Sequence, residues 1–200
     1  MAAQRGRRPA FTLVEATVAL GICGLAAAAM LLAVESTVAT TAEMRDDELA
    51  RSIANAVIDE ALGLKFAETD DPTAQWIGPD AGEYSRAART PFDDLDDFNL
   101  HVSFGPLKDT FGVSLGEGDG KGGQRHPHLR LPDNYFQQWG MYVLVRPIDP
   151  SNPDRYLPSN SVSPHRSLDV YVGRVENGRF RVLVKQRRIV SHVPPMELAK

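Results

Sequence analysis

Residues 11–34 read FTLVEATVALGICGLAAAAMLLAV, 24 residues in which Glu15 is the only charge. A helix needs about 20 apolar residues to cross a bilayer, so this stretch predicts a membrane-spanning helix beginning at Phe11. Arg5, Arg7 and Arg8 precede it. Basic residues beside a span stay on the cytoplasmic side, which predicts a short cytoplasmic N-terminus. Glu15 lies four residues into the run. A carboxylate at that depth costs roughly 2.5–3.5 kcal/mol on insertion scales, and ionisable residues inside spans mark function. Two readings follow: the side chain snorkels to the headgroups, or it meets a specific cation inside an assembly.

The junction Ala10-Phe11, the run Thr12-Leu13-Val14 and then Glu15 resemble the N-terminal segment of type IV prepilins and type II secretion pseudopilins. In that family a short basic leader ends in a small residue, and a prepilin peptidase cuts there. The new N-terminal residue is methylated, and the fifth residue of the mature chain is Glu. The resemblance implies cleavage between Ala10 and Phe11, N-methylation of Phe11, and an assembly role for Glu15. In that role Glu15 pairs with the Phe11 ammonium of a neighbouring subunit, since opposite charges attract strongly in a low dielectric.

Two departures narrow the resemblance. Ala10 stands where Gly is usual, and no proline lies between Phe11 and Phe66, where major pilins carry one. The chain also has one cysteine, Cys23, inside the apolar run, so no disulfide closes the soluble part. These features point to a minor pilin or minor pseudopilin. The implied partners are other pilins or pseudopilins, the prepilin peptidase, the inner-membrane assembly platform and the membrane itself. The implied location is the inner membrane, crossed once with the head in the periplasm, and then a periplasmic or cell-surface filament. The resemblance covers about the first quarter of the chain.

Two other readings use the same residues. One is a plain signal anchor holding an exported binding domain. The other is a twin-arginine signal, Arg7-Arg8, with Ala27-Ala28-Ala29 imitating a signal-peptidase site. Glu15 inside the apolar region argues against the twin-arginine reading.

Beyond Val34 the chain turns polar but stays helix-compatible to about Lys65. Leu49, Ile53, Val57 and Ala61 recur every fourth residue, beside a row of Ala50, Ala54, Ile58 and Leu62. Together they make the broad stripe of an amphipathic helix. A continuous helix from Phe11 would be roughly 80 Å long at 1.5 Å per residue. The weak helix formers from Ser36 to Thr41 also permit a break near Glu35-Ser36-Thr37.

Residues 67–98 are acidic and turn-rich. The run Phe92-Asp93-Asp94-Leu95-Asp96-Asp97-Phe98 predicts a solvated acidic turn with its apolar residues tucked against a core, and it is similar to runs in certain minor pilins. Asp93, Asp94, Asp96 and Asp97 are candidate ligands for a divalent cation, which takes carboxylate oxygens. The run lacks the spacing of an EF-hand loop.

Strands follow. Leu100, Val102 and Phe104 alternate with His101 and Ser103, and a second strand runs from about Gly140 to Ile148. Leu168, Val170 and Val172 then face Phe180, Val182 and Val184 across Glu176-Asn177-Gly178, a strong hairpin signal. A two-residue loop would set Val172 opposite Leu183 and split the apolar faces. A three-residue loop, setting Val172 opposite Val182, joins them. Arg179, Arg181, Lys185 and Arg187 are then expected on the opposite, solvated face. Residues 105–134 and 149–164 read as long surface loops.

The predicted class is α+β: a pilin-like long N-terminal helix, membrane-spanning in its first half, packed on a small antiparallel sheet. The predicted segments are a leader (1–10), a transmembrane or filament-core helix (11–35), an amphipathic helix entering the head (36–66) and a β-rich head (67–200).

Other motifs carry less. Gly112-Val113-Ser114-Leu115-Gly116 matches a hydrolase nucleophile elbow, but the glycine-rich stretch after it cannot start the helix that the elbow needs. His126-Pro127-His128 offers two imidazoles where a zinc site needs three or four protein ligands. No catalytic residue and no cofactor is expected. The net charge is −4, and −7 once the leader arginines are removed, so no nucleic-acid partner is expected.

Overall fold

The computed structural model describes residues 12–68, 77–83, 88–132 and 134–193. They form an α+β structure: one helix, α1 (Leu13–Leu62), and an antiparallel sheet of β1 (Val102–Phe104), β2 (Trp139–Asp149), β3 (Asn152–Tyr156), β4 (His165–Glu176) and β5 (Arg179–Ser191). The chain divides into two compact units, one ending at Arg45 and the other, the head, starting at Asp46.

Every described residue of the first unit is solvent-exposed. α1 runs unbroken through the weak helix formers at 36–41. There Thr37, Thr40 and Thr41 donate their hydroxyls to the carbonyls of Ala33, Ser36 and Thr37 at 2.8, 2.9 and 2.8 Å. Each hydroxyl is satisfied on the helix itself, so none pulls the backbone into a turn.

The head core forms where the end of α1 meets the sheet. Ala50, Ala54, Val57, Ile58 and Ala61 are buried in one cluster with Met141, Val143 and Val145 of β2 and Leu168, Val170 and Val172 of β4. Each buried Val, Leu or Ile contributes about 1.5–3 kcal/mol. Arg89, from the segment between α1 and β1, donates to both carboxylate oxygens of Glu60 at 2.8–3.2 Å. This bidentate pair fastens the loop to the helix.

The sheet order is β1-β2-β4-β5, with β3 pairing the end of β2. β3 lies in a segment that the sequence predicts as loop. Its residues are polar and include Pro153, and it meets β2 only at Ile148↔Tyr156 and Asp149↔Asn152, so no apolar alternation marks it.

The β4–β5 hairpin differs from the expected three-residue loop. Glu176 pairs with Arg179 across a two-residue Asn177-Gly178 turn, with positive φ at both residues (52° and 73°). That is the turn whose twist matches paired strands. The apolar mismatch is removed farther along, by a bulge between Val172 and Gly173 that leaves Val172 opposite Val184. The extra residue of a bulge shifts everything after it to the other face. Phe180 and Val182 therefore share a face with Lys185 and Arg187, so Arg179, Arg181, Lys185 and Arg187 do not form one solvated face. A Cβ at position 173 would collide with the Arg181 carbonyl, so the bulge requires glycine there.

β1 also departs from expectation. Leu100 takes φ +59°, which breaks the alternation. Leu100, Val102 and Phe104 are 69%, 44% and 55% exposed, while His101 turns inward, its ring 5.6 Å from that of Phe92.

Candidate functional site

Ala10 and Phe11, the expected processing junction, lie outside the described residues. Glu15 is described. Thr12 precedes α1, and its main-chain N–H and hydroxyl both donate to Glu15 Oε2 at 2.9 Å, while Glu15 N donates back to Thr12 Oγ1 at 3.3 Å. This reciprocal arrangement is a capping box: it satisfies main-chain donors that the first helical turn leaves open, and a carboxylate also suits the positive end of the helix dipole. The Thr12-x-x-Glu15 spacing is its sequence signature. After it the apolar residues Leu13, Val14, Val18, Leu20, Ile22 and Leu25 are all exposed. Among the described residues α1 is the one helix long and apolar enough to cross a membrane, and none of its apolar window is buried.

The acidic run is ordered by main-chain donors. Asp96–Phe98 form a single 3-10 turn. Asp97 Oδ2 accepts from the N–H groups of Asp93 and Asp94 at 2.9 and 3.1 Å, and Asp94 Oδ1 accepts from Asp97 N at 3.1 Å. Phe92, Leu95 and Phe98 are buried as expected. The turn is not solvated, however: Asp94, Asp96 and Asp97 are buried as well. The physical reason lies outside the run, because Arg166 of β4, itself buried, donates Nε to Asp96 Oδ1 at 3.1 Å.

Burial and the neighbouring Asp97 and Asp96 charges push Asp94 up to about 7. Burial also raises Asp97 to about 6 against its main-chain hydrogen bonds. Asp96 is raised by burial, with Arg166 opposing. Asp93, at the surface, is lowered by its hydrogen bond to Lys65, which stands 3.0 Å away. Asp93, Asp94 and Asp97 each offer an oxygen within 4.8 Å of the others, and so do Glu68, Glu83 and Asp93. These are the carboxylates that could share a hard cation. Asp96 belongs to neither group; its Oδ1 accepts from Arg166.

The face of the sheet away from α1 carries a second constellation. Tyr142 and Tyr171 stack across β2 and β4 with centroids 4.2 Å apart, and Phe180 meets Tyr142 and Phe104 edge to face at 5.8 and 5.4 Å. Gly140 lies beneath, where a Cβ would overlap the rings of Phe104 and Phe180. Beside the rings, fully buried Asp169 accepts from Arg146, from the Tyr156 hydroxyl and from Ser167 at 2.8–3.1 Å. Lys185 and Arg187 approach its other oxygen at 3.8 and 3.9 Å. The Arg146 and Arg187 guanidiniums lie 3.6 and 4.8 Å from the Tyr156 ring centroid. A sequence reading has no access to this arrangement, because the bulge decides which residues of β5 join it.

The other motifs are loop features. Ser114 pairs its main chain with Lys108, and after Gly116 the chain turns back on itself through a Gly118–Gln124 bridge. His126 and His128 are exposed, their rings 5.2 Å apart on a short 3-10 turn. Comparison with family models, with curated proteins and with solved structures found nothing that matches this chain.

Proposed function

We propose that the chain is a structural subunit of a type IV pilus-like filament or type II secretion pseudopilus, a minor pilin or minor pseudopilin. It enters the inner membrane through α1, is cut between Ala10 and Phe11 by the prepilin peptidase, and is drawn into the filament by its N-terminal helix. One observation carries this reading. α1 presents an apolar first half whose described residues are all exposed, with one carboxylate in its first turn, while residues of its last turns are buried in the core of the sheet-bearing head. A helix so divided suits a subunit whose first half is buried by other molecules: lipid before assembly and neighbouring helices after it. Glu15 then meets the methylated ammonium of an adjacent Phe11.

The capping box favours a second reading, in which Glu15 only closes the helix start and α1 is a plain anchor for an exported binding domain. N-terminal sequencing of the protein from its native membrane separates the two. A start at N-methyl-Phe11 supports the filament subunit. An intact leader, or a start after Ala29, overturns it.

A further inference from the structure

β5 contains Arg179, Arg181, Lys185, Arg187 and Arg188 and no acidic residue, in a chain whose net charge is −4. The bulge at Val172/Gly173 sets Lys185 and Arg187 on the face that carries Phe104, Tyr142, Tyr171 and Phe180. Lys185 Nζ stands 5.2 Å from the Tyr171 centroid, so cations and rings form one continuous surface. Val102 and Val182 flank it, and Val182 is 41% exposed. Among the described ion pairs here, three cations, Arg146, Lys185 and Arg187, meet two carboxylates, Asp169 and Asp154, which leaves one positive charge in excess.

The rings choose between partners. Bases stack on open ring faces, but here Tyr142 and Tyr171 cover each other and Lys185 lies over Tyr171. The stacked pair thus offers fewer open ring faces, a poorer platform for a polynucleotide. Tyr, Phe and Arg gathered around a rigid floor are instead the composition of the centre of a protein–protein contact.

We infer that the sheet face away from α1 docks an acidic surface of a neighbouring protein subunit, with the four rings as the apolar centre and Arg146, Lys185 and Arg187 as the charged margin. The inference rests on the reading of the chain as an assembly subunit. The positive excess argues for the acidic partner: complementary charge steers encounter and sets register.

The test uses the full-length protein in its native membrane, with a photo-crosslinking residue at Val182 and, as a control, at exposed Leu129. The expected result is a crosslink from position 182 to an acidic peptide of another filament subunit, identified by mass spectrometry. It should fall about tenfold in 1 M salt, where charge attraction is screened within ~3 Å. Lys185→Gln should weaken it in the same direction, and the salt series needs no variant that must fold. A crosslink to nucleic acid, to lipid or to a basic surface, one indifferent to salt, or none above the Leu129 control, overturns the inference. Sequencing the N-terminus of the same sample keeps the two readings apart. Processing at Phe11 without the crosslink removes the docking surface alone. The crosslink without processing removes the proposed filament role and leaves the surface.

Discussion

Asp96 accepts from Arg166 Nε at 3.1 Å across 70 residues of sequence, and both side chains are buried. The pair joins the acidic turn to β4, an inner strand of the sheet. Desolvating two charges offsets much of their attraction, so the pair adds little net stability, yet losing one partner strands the other. Arg166→Met should therefore cost about 3–5 kcal/mol in urea unfolding, while Arg166→Met with Asp96→Leu should recover most of the loss. A single-variant cost under about 1 kcal/mol would mean that the turn is not anchored through this pair.

The hairpin bulge is open to a direct test. Gly173→Ala places a Cβ against the Arg181 carbonyl and should cost about 1–3 kcal/mol, the usual penalty for forcing extra volume into a packed site. Deleting Leu183 along with it removes the extra residue, leaving Val172 opposite Val184 without a bulge, and should restore part of the stability. Chemical shifts of β4 and β5 report whether Val172 still faces Val184.

Asp94 gives a pH dependence of known sign. Its folded value, about 7, lies above that of an unfolded Asp, near 3.9. Between these values the unfolded chain releases a proton that the folded chain keeps, so this group lowers stability as pH rises from about 4 to about 7, after which its effect is level. His101 acts in the opposite direction over part of that range, because burial and nearby Arg89 hold it down to about 4. Comparing Asp94→Asn with the unaltered protein cancels the histidine. The variant should be about equal at pH 4 and more stable by about 1–3 kcal/mol at pH 8. A difference independent of pH would contradict the raised value.

The head should fold without the apolar segment. A chain beginning at Thr37 keeps Ala50, Ala54, Val57, Ile58 and Ala61, which cover the sheet. It should be soluble and unfold cooperatively. A chain beginning at Gly63 uncovers Met141, Val143, Leu168 and Val170 and should aggregate. Light scattering and urea melts distinguish them, and equal behaviour would mean that the helix is dispensable to the core.

These sites differ in how far the sequence announces them. The stripe from Leu49 to Ala61 and the alternation Leu168, Val170, Val172 are legible because one buried face imposes a local period. The buried carboxylates of the acidic run are not, since their setting depends on Arg166 far along the chain and on the main-chain N–H groups of Asp93, Asp94 and Asp97. β3 is hidden by its polar residues and Pro153. The ring-and-cation face depends on a bulge, which the apolar alternation of the two strands does not mark because it needs only one glycine in the right place. The two roles of Glu15 are both legible, one in the apolar run around it and one in Thr12 three residues before it, and the residue type alone does not choose.

Glu15 can be made to choose. Glu15→Gln keeps an oxygen that can accept from Thr12 but removes the charge, whereas Glu15→Val removes both. If the side chain only caps the helix, Gln should behave as the natural residue, and Val should cost about 1 kcal/mol of helix start without affecting assembly. If it pairs with a neighbouring Phe11 ammonium, both variants leave that cation buried and unpaired, which costs about 3–5 kcal/mol per contact. Incorporation into sheared filaments, or co-purification with partner pseudopilins, should then fall sharply for Gln and Val alike. Glu15→Asp, with the charge kept and the reach shortened, should be intermediate. Membrane insertion and leader cleavage should survive in all three, since both precede assembly. Normal incorporation of Glu15→Gln would leave the capping box as the sole role of this carboxylate and remove the charge pairing from the proposed mechanism.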